Sequence, residues 1–504
     1  MEKTLCTMKE IIDHADKNYG EQTAFRYKDG KEIKEKSYQD LKNDSQAFSR
    51  ILEKYDMLGK HVAVIGPTTY EWILSYFGTV NSGGVIVPLD ALLPAGEVCE
   101  LLNRADVSVF VYDELRKDVA GLVKEKCPNV KYMISMQKEE SNGESLSLSQ
   151  LLSENQGDFS CELDPDKMCA ILFTSGTTGK SKGVMLSHRN LTENAVCLDM
   201  KIPRGTVSMT VLPIHHAYCF TMDILKAIYI GIIICINDSV MHVSKNFKLF
   251  KPEIVLFVPM IIESVYAKLK AATGVLPKKM VAKSAFGGNL KTIVSGGAYL
   301  PPELVGHFKE YGITILQGYG MTECSPVIST NLEWESKEGS VGKLMPNCEA
   351  KVVENEIWVR GSSVMLGYYK MPEETKETLT DGWLRTGDLG YVDEDGFVFL
   401  TGRKKNLIIL KNGENVSPEE LENQLYQNPL IKEIIVREKD NIIEAEIFPD
   451  LEYAGKKHIK DVEGKLQSIL DDFNKDMPAY KRIHGLKIRD TEFEKTPSKK
   501  IKRY

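Results

Sequence analysis

Ten consecutive residues, Thr174-Ser175-Gly176-Thr177-Thr178-Gly179-Lys180-Ser181-Lys182-Gly183, combine what a triphosphate needs. Small side chains let backbone N–H groups approach phosphate oxygens, hydroxyls add donors, and lysine brings positive charge. The stretch is not a Walker loop, because that motif needs glycine five residues before Gly179 and Thr174 stands there. A flexible surface loop is the bland alternative; two lysines in a long Gly/Ser/Thr run between apolar segments argue against it. A second candidate string is Tyr319-Gly320-Met321-Thr322-Glu323, which alone is more often a turn with a solvated glutamate but whose position after the expected strand Thr314 to Leu316 favours function. Asp388, in Trp383-Leu384-Arg385-Thr386-Gly387-Asp388, could by itself merely cap the turn before Tyr391. The pair His215-His216, taken in isolation, is more often a matter of packing or surface. Thr496 to Arg503 is a basic string that composition alone assigns to a solvated tail.

Elements must hold these residues. Before about residue 160, amphipathic helical stretches alternate with short apolar runs, His61 to Ile65, Gly84 to Val87 and Val107 to Val111, an α/β pattern. The Ser/Glu/Asn-rich segment Glu139 to Gly157 reads as a surface connection. The strand Met168 to Phe173 enters the hydroxyl-rich loop, the strand Val184 to Leu186 leaves it, and Ser187 caps a helix. Further strands are expected at Thr206 to Leu212, Ile230 to Ile236, Ile254 to Val258, Thr292 to Val294 and Thr314 to Leu316, alternating with helices as in stacked parallel sheets. The apolar run Ala227 to Ile236, too short to cross a bilayer, reads as a buried strand. From Ile357 the pattern shortens to hairpins around Asp381-Gly382 and Asp395-Gly396. A βα unit follows, with Leu407 to Leu410 as strand and Ser417-Pro418-Glu419-Glu420 as a capping box. Ile434 to Arg437 and Ile442 to Phe448 complete a small module. The fold class is therefore α/β: a large N-terminal domain, residues 1–404, of stacked αβ sheets plus a β subdomain, and a small mobile α+β C-terminal domain, residues 405–504.

The phosphate loop resembles TSGTTGxPKG of the adenylate-forming superfamily of acyl-CoA synthetases, carrier-protein adenylation domains and luciferases, with Ser181 in place of the usual proline. The resemblance continues in order. Ser295-Gly296-Gly297-Ala298 and Gly318-Tyr319-Gly320-Met321-Thr322-Glu323 look like its adenine-pocket segments, which implies Tyr319 on adenine, Thr322 on the α-phosphate and Glu323 on magnesium. By the same resemblance Asp388 binds the ribose hydroxyls, Arg403 reaches ribose or phosphate, Lys405 is the hinge, and His216 borders the carboxylate. Alignment on Ile501 and Arg503 makes Lys500 the catalytic lysine, with Lys499 in the place of the family's glycine and as the alternative assignment. Gly413, in Lys411-Asn412-Gly413-Glu414-Asn415, would let a pantetheine arm pass close to backbone. The terminal string is closest to fatty acyl-CoA synthetases.

The resemblance implies an AMP-forming acid–thiol ligase that uses ATP, Mg²⁺ and coenzyme A on a medium- or long-chain fatty acid. The alternatives are an enzyme loading an acyl carrier protein, a luciferase-like oxygenase, or a silent acyl sensor. The acyl pocket is expected among Phe220 to Ile224, Phe257 to Ile262, Ser295 to Ala298 and Met321 to Val327. Bulk properties agree. A formal charge of -7, with basic residues spread along 504 residues, gives no footprint for nucleic acid. The 10 cysteines show no CxxC spacing and the 9 histidines no HExxH, so a zinc site or disulfide framework is not expected. That cysteine usage implies a reducing cytoplasm, with a peripheral place at a membrane if the acid is long-chain, and residues 1–10 lack the pattern of a secretory signal.

Overall fold

The computed structural model describes residues 5–138, 140–143, 145–174, 181–274, 276–410, 414–439, 442–495 and 501–503. The chain divides into two units, Met1–Ala350 with Val359–Arg385, and Lys351–Trp358 with Thr386–Tyr504.

In the first unit, apolar strands between amphipathic helices form two large sheets. One has nine strands: Lys343–Leu344, Val327–Thr330, Thr314–Gly320, Thr292–Ser295, Ile254–Phe257, Val207–Thr210, Ile233–Ile236, Thr23–Asp29 and Glu32–Ser37, in spatial order. The run from Thr314–Gly320 to Thr23–Asp29 is parallel, and antiparallel strands flank it. The other has eight strands, ordered Gly367–Tyr368, Lys182–Ser187, Met168–Thr174, Val85–Leu89, His61–Ile65, Val107–Tyr112, Tyr132–Ser135 and Leu146–Ser147. Val62, Ala63, Val64 and Ile65 of the parallel strand His61–Ile65 are all fully buried, as expected where helices cover both faces of a sheet. Helix starts follow side-chain capping: the Ser187 hydroxyl accepts from Asn190 N at 3.1 Å while the Asn190 side chain accepts from Ser187 N at 2.8 Å.

The second unit holds a three-stranded sheet, Ile431–Lys439, Ile442–Pro449 and Ile483–Ile488, packed with the helices Pro418–Leu425 and Val462–Lys475 over a core that includes Leu421, Val436, Ile447 and Leu466. The Asp395-Gly396 hairpin joins Trp383–Val392 to Val398–Arg403, with Asp388 opposite Arg403.

Three expectations are corrected. Ala227 to Ile236 is a helix end followed by a strand: Lys226–Ile230 is helical, Gly231 closes it at φ 86°, and only Ile233–Ile236 is extended. Glycine accepts that left-handed conformation without strain, so it splits a run that is uniformly apolar. Glu139 to Gly157 is not merely a connection, since Leu146–Ser147 is a sheet edge and the helix Leu148–Glu154 buries Leu148 and Leu151 at helical spacing. The Ser417 box does not form. Its hydroxyl donates to the Thr401 carbonyl at 2.8 Å, and Glu420 accepts from Lys481 instead.

Candidate active site

Parallel strands place their C-terminal ends, and the loops that follow, along one edge of the sheet, where open α/β sheets bind ligands. Phe257, Ser295 and Gln317 are in register on adjacent strands, so the segments after them emerge side by side. Gly296, Gly297 and Ala298 thus adjoin Gly318, Tyr319, Gly320, Met321, Thr322 and Glu323. A Cβ on Gly296 would lie 3.2 Å from Tyr218 Cζ, and one on Gly318 would lie 3.2 Å from the Ser329 carbonyl. At Gly320 a Cβ would run into the Pro326 carbonyl, so backbone packs directly on backbone there. Tyr319 is buried, Thr322 and Glu323 are half-buried, and Thr322–Cys324 is a single 3₁₀ turn.

The second sheet brings the phosphate-loop stem to the same carboxylate. Thr174 pairs with Lys182 across the antiparallel strands. Ser175, Gly176, Thr177, Thr178, Gly179 and Lys180 lie outside the described residues. On its other edge, Lys182–Ser187 pairs with Gly367–Tyr368, Tyr368 standing opposite Val184. The Tyr368 hydroxyl donates to Glu323 Oε1 at 2.9 Å, and the Lys182 ammonium sits 4.7 Å from the Tyr368 ring centroid, a cation–π contact. Burial and the Glu323 carboxylate push the Tyr368 phenol above its ordinary range, so it stays a donor. The Met365 N–H also donates to the Glu323 carbonyl at 2.9 Å.

His216 is exposed, with its ring centroid 4.1 Å from that of His215. His215 is the more enclosed of the two, its Nε2 3.9 Å from Asp90 Oδ2. Burial and the adjacent His216 lower its imidazole to about 4 against the opposing pull of Asp90, so the ring is neutral at neutral pH and the approach is a contact rather than an ion pair. Sequence reasoning missed Asp90 and Tyr368. Asp90 follows the buried strand Val85–Leu89 directly, a position that could have flagged it; Tyr368 depends on a strand pairing that no local pattern announces.

In the second unit, Asp388 is buried within its hairpin and pairs with Arg403, Oδ1 to Nε 2.7 Å. Its backbone N–H donates to Thr386 Oγ1 at 3.0 Å. Beside it, Lys404 Nζ lies 2.9 Å from Glu356 Oε2, and burial of Glu356 is outweighed by Lys404 and the Gly387 N–H, which hold its carboxyl below the ordinary value. Burial and Arg403 hold the Lys405 ammonium below its usual range. Lys495 and Ile501 form an antiparallel bridge, Lys502 N donates to Glu494 O at 2.8 Å, and Arg503 Nη1 donates to Glu422 Oε1 at 2.8 Å. Lys500 and Gly413 lie outside the described residues. Among the described residues no group of three or more His, Cys, Asp or Glu side chains is placed to hold a metal ion, and no helix is long and apolar enough to cross a membrane. Glu323 alone suits a cation whose other ligands are phosphate oxygens and water.

Glycine-lined segments at the ends of parallel strands, the Thr174/Lys182 stem linked through Tyr368 to Glu323, and a small α+β unit fit the adenylate-forming class of enzyme. The chain belongs to the AMP-binding enzyme family: residues 12–369 match that family and residues 405–504 match the AMP-binding enzyme C-terminal domain. Its enzymatic class is that of the AMP-forming acid–thiol ligases. It is 28% identical over 428 residues to the long-chain-fatty-acid–CoA ligase FadD15 of Mycobacterium bovis, covering 75% of this chain and 71% of that one. It is also 28% identical over 477 residues to the long-chain-fatty-acid–CoA ligase of Bacillus subtilis, covering 85% and 82%. In fold it is similar to the anthranilate CoA ligase AuaEII in complex with anthranoyl-AMP, at a TM-score of 0.84 and 22% identity over 98% of this chain and 95% of that one.

Proposed function

We propose that this ligase uses ATP and Mg²⁺ to convert a medium- or long-chain fatty acid to its acyl-adenylate, and then transfers the acyl group to coenzyme A. The observation that carries the reading is Glu323, oriented by the Tyr368 hydroxyl at 2.9 Å beside the Thr174/Lys182 stem. The long-chain specificity of the Mycobacterium and Bacillus relatives supports the choice of acid.

A carboxylate resists thiols because oxide is a poor leaving group. Attack of the carboxylate oxygen on the α-phosphorus of ATP forms the mixed anhydride and releases pyrophosphate; attack of the thiol sulfur on the acyl carbon then breaks the C–O bond and releases AMP. Charge grows on phosphate oxygens in the first step, so fixed donors there lower the barrier. In this reading Thr174 to Lys180 cradle the β- and γ-phosphates, Thr322 and Lys500 meet the α-phosphate, and Glu323 holds Mg²⁺, which would neutralise phosphate charge. Gly296, Gly297, Ala298, Gly318, Gly320 and Met321 frame adenine against Tyr319, Asp388 and Arg403 take the ribose, and His216 orients the acid. The domain of residues 405–504 turns at Lys405 to exchange Lys500 for Gly413, opening the way for pantetheine. Pyrophosphate release across acetate, octanoate, palmitate and benzoate, with free coenzyme A and acyl carrier protein compared as acceptors, tests the reading. Octanoate or palmitate with free coenzyme A should be fastest; no release with any acid would defeat it.

A further inference from the structure

The helix after His216 is not regular: Cys219–Leu225 is a π segment, leading without a break into Lys226–Ile230. Such segments cluster at functional sites. Its i→i+5 geometry turns residue 223 back toward the face of residue 218, whereas an α-helix would rotate them apart. Asp223 is 2% exposed, and its Oδ2 has no hydrogen-bond partner among the described residues. The Tyr218 hydroxyl and the Ser295 hydroxyl are likewise buried without partners. Burial first, and the Asp223 carboxylate second, raise the Tyr218 phenol above its ordinary range. Tyr218 in turn abuts Gly296, 3.2 Å from where its Cβ would stand, so Asp223 connects through Tyr218 to the glycine segment of the site. Lys226 is buried one turn on but gives its ammonium to the carbonyls of Ala195 at 2.9 Å and Leu198 at 2.7 Å. Burial alone pushes the Asp223 carboxyl up to about 8. An unpartnered buried carboxyl costs several kcal/mol, which a purely apolar acyl channel would give no reason to retain.

We propose that Asp223 is the specificity-determining residue of the acyl pocket, and that with Tyr218 and Ser295 it recognises an acid carrying a hydroxyl or amino group on its carbon chain. The inference rests on the ligase reading and narrows its substrate class. A site that hydrogen-bonds such a group rejects the analogue lacking it strongly, because its own polar atoms are then left unpaired.

The test compares octanoate, its terminal hydroxyl analogue and its terminal amino analogue with the full chain, ATP, Mg²⁺ and coenzyme A. The polar acids should exceed octanoate in kcat/KM by on the order of a hundredfold. Asp223→Leu should reverse that order while its Tm holds or rises, since a desolvated carboxyl has been replaced by an apolar side chain. Asp223→Asn, nearly isosteric, should keep the hydroxy acid and lose about tenfold or more on the amino acid. Octanoate preferred by the wild type, or selectivity unchanged in both variants, overturns the inference alone. No pyrophosphate release with any acid overturns it together with the ligase reading.

Discussion

The two units build their share of the chemistry from different materials. In the first, position is set by backbone: the segments from Gly296 and Gly318 leave adjacent parallel strands, Gly320 packs on the Pro326 carbonyl, and Glu323 accepts from the Tyr368 hydroxyl at its side chain and from the Met365 N–H at its carbonyl. In the second, position is set by charged side chains on a hairpin and at the chain end: Asp388 with Arg403, Glu356 with Lys404, Glu422 with Arg503. An arrangement set by backbone packing resists displacement. An ion-paired one can exchange partners.

If the second unit supplies the exchangeable charge, Lys500→Ala should lower adenylate formation by on the order of a hundredfold or more. Thioester formation from supplied acyl-adenylate should stay near wild type; equal loss in both half-reactions would erase the distinction between the units. If the first unit is rigid at the backbone, Gly320→Ala should destabilise it by about 1–3 kcal/mol through the Pro326 carbonyl. An unchanged unfolding midpoint would count against that rigidity. Burial lowers His188, in the helix after the phosphate-loop stem, to about 4. The unfolded chain therefore takes up the proton first: the contribution is complete above pH ~6.5 and is lost as pH falls toward ~4, at up to about 1.4 kcal/mol per pH unit. His188→Gln should flatten that slope in urea titrations, and a slope equal to wild type would show that the charge is taken up elsewhere. The finest contrast is Tyr368→Phe, which removes about 1 kcal/mol of hydrogen bonding and should raise the Mg²⁺ requirement severalfold with little change in Tm. A Tm fall with unchanged Mg²⁺ dependence would make Tyr368 a packing residue only.

Much of the first unit was legible because apolar runs bounded by turn formers are what parallel strands look like in sequence. Met168–Thr174, Ile254–Phe257 and Thr292–Ser295 begin where expected and end within a residue. Gly231 escaped because a single glycine in an apolar run carries no period, and Ser417 because its hydroxyl found a nonlocal carbonyl. The candidate residues were legible as short strings, but their supports were not. Tyr368 is 45 residues from Glu323, Asp90 follows a strand of the eight-stranded sheet while His215 lies in a turn far along the chain, and Asp223 depends on an extra residue per helical turn. Each is a product of topology rather than of local pattern.

The short strand Gly367–Tyr368 has a mechanical consequence. It is zipped to the ribbon that leaves the phosphate-loop stem, and its tyrosine grips Glu323. Any shift of that ribbon is therefore delivered to the carboxylate as tension on an O–H···O link, so the ribbon and the acidic group are geared together.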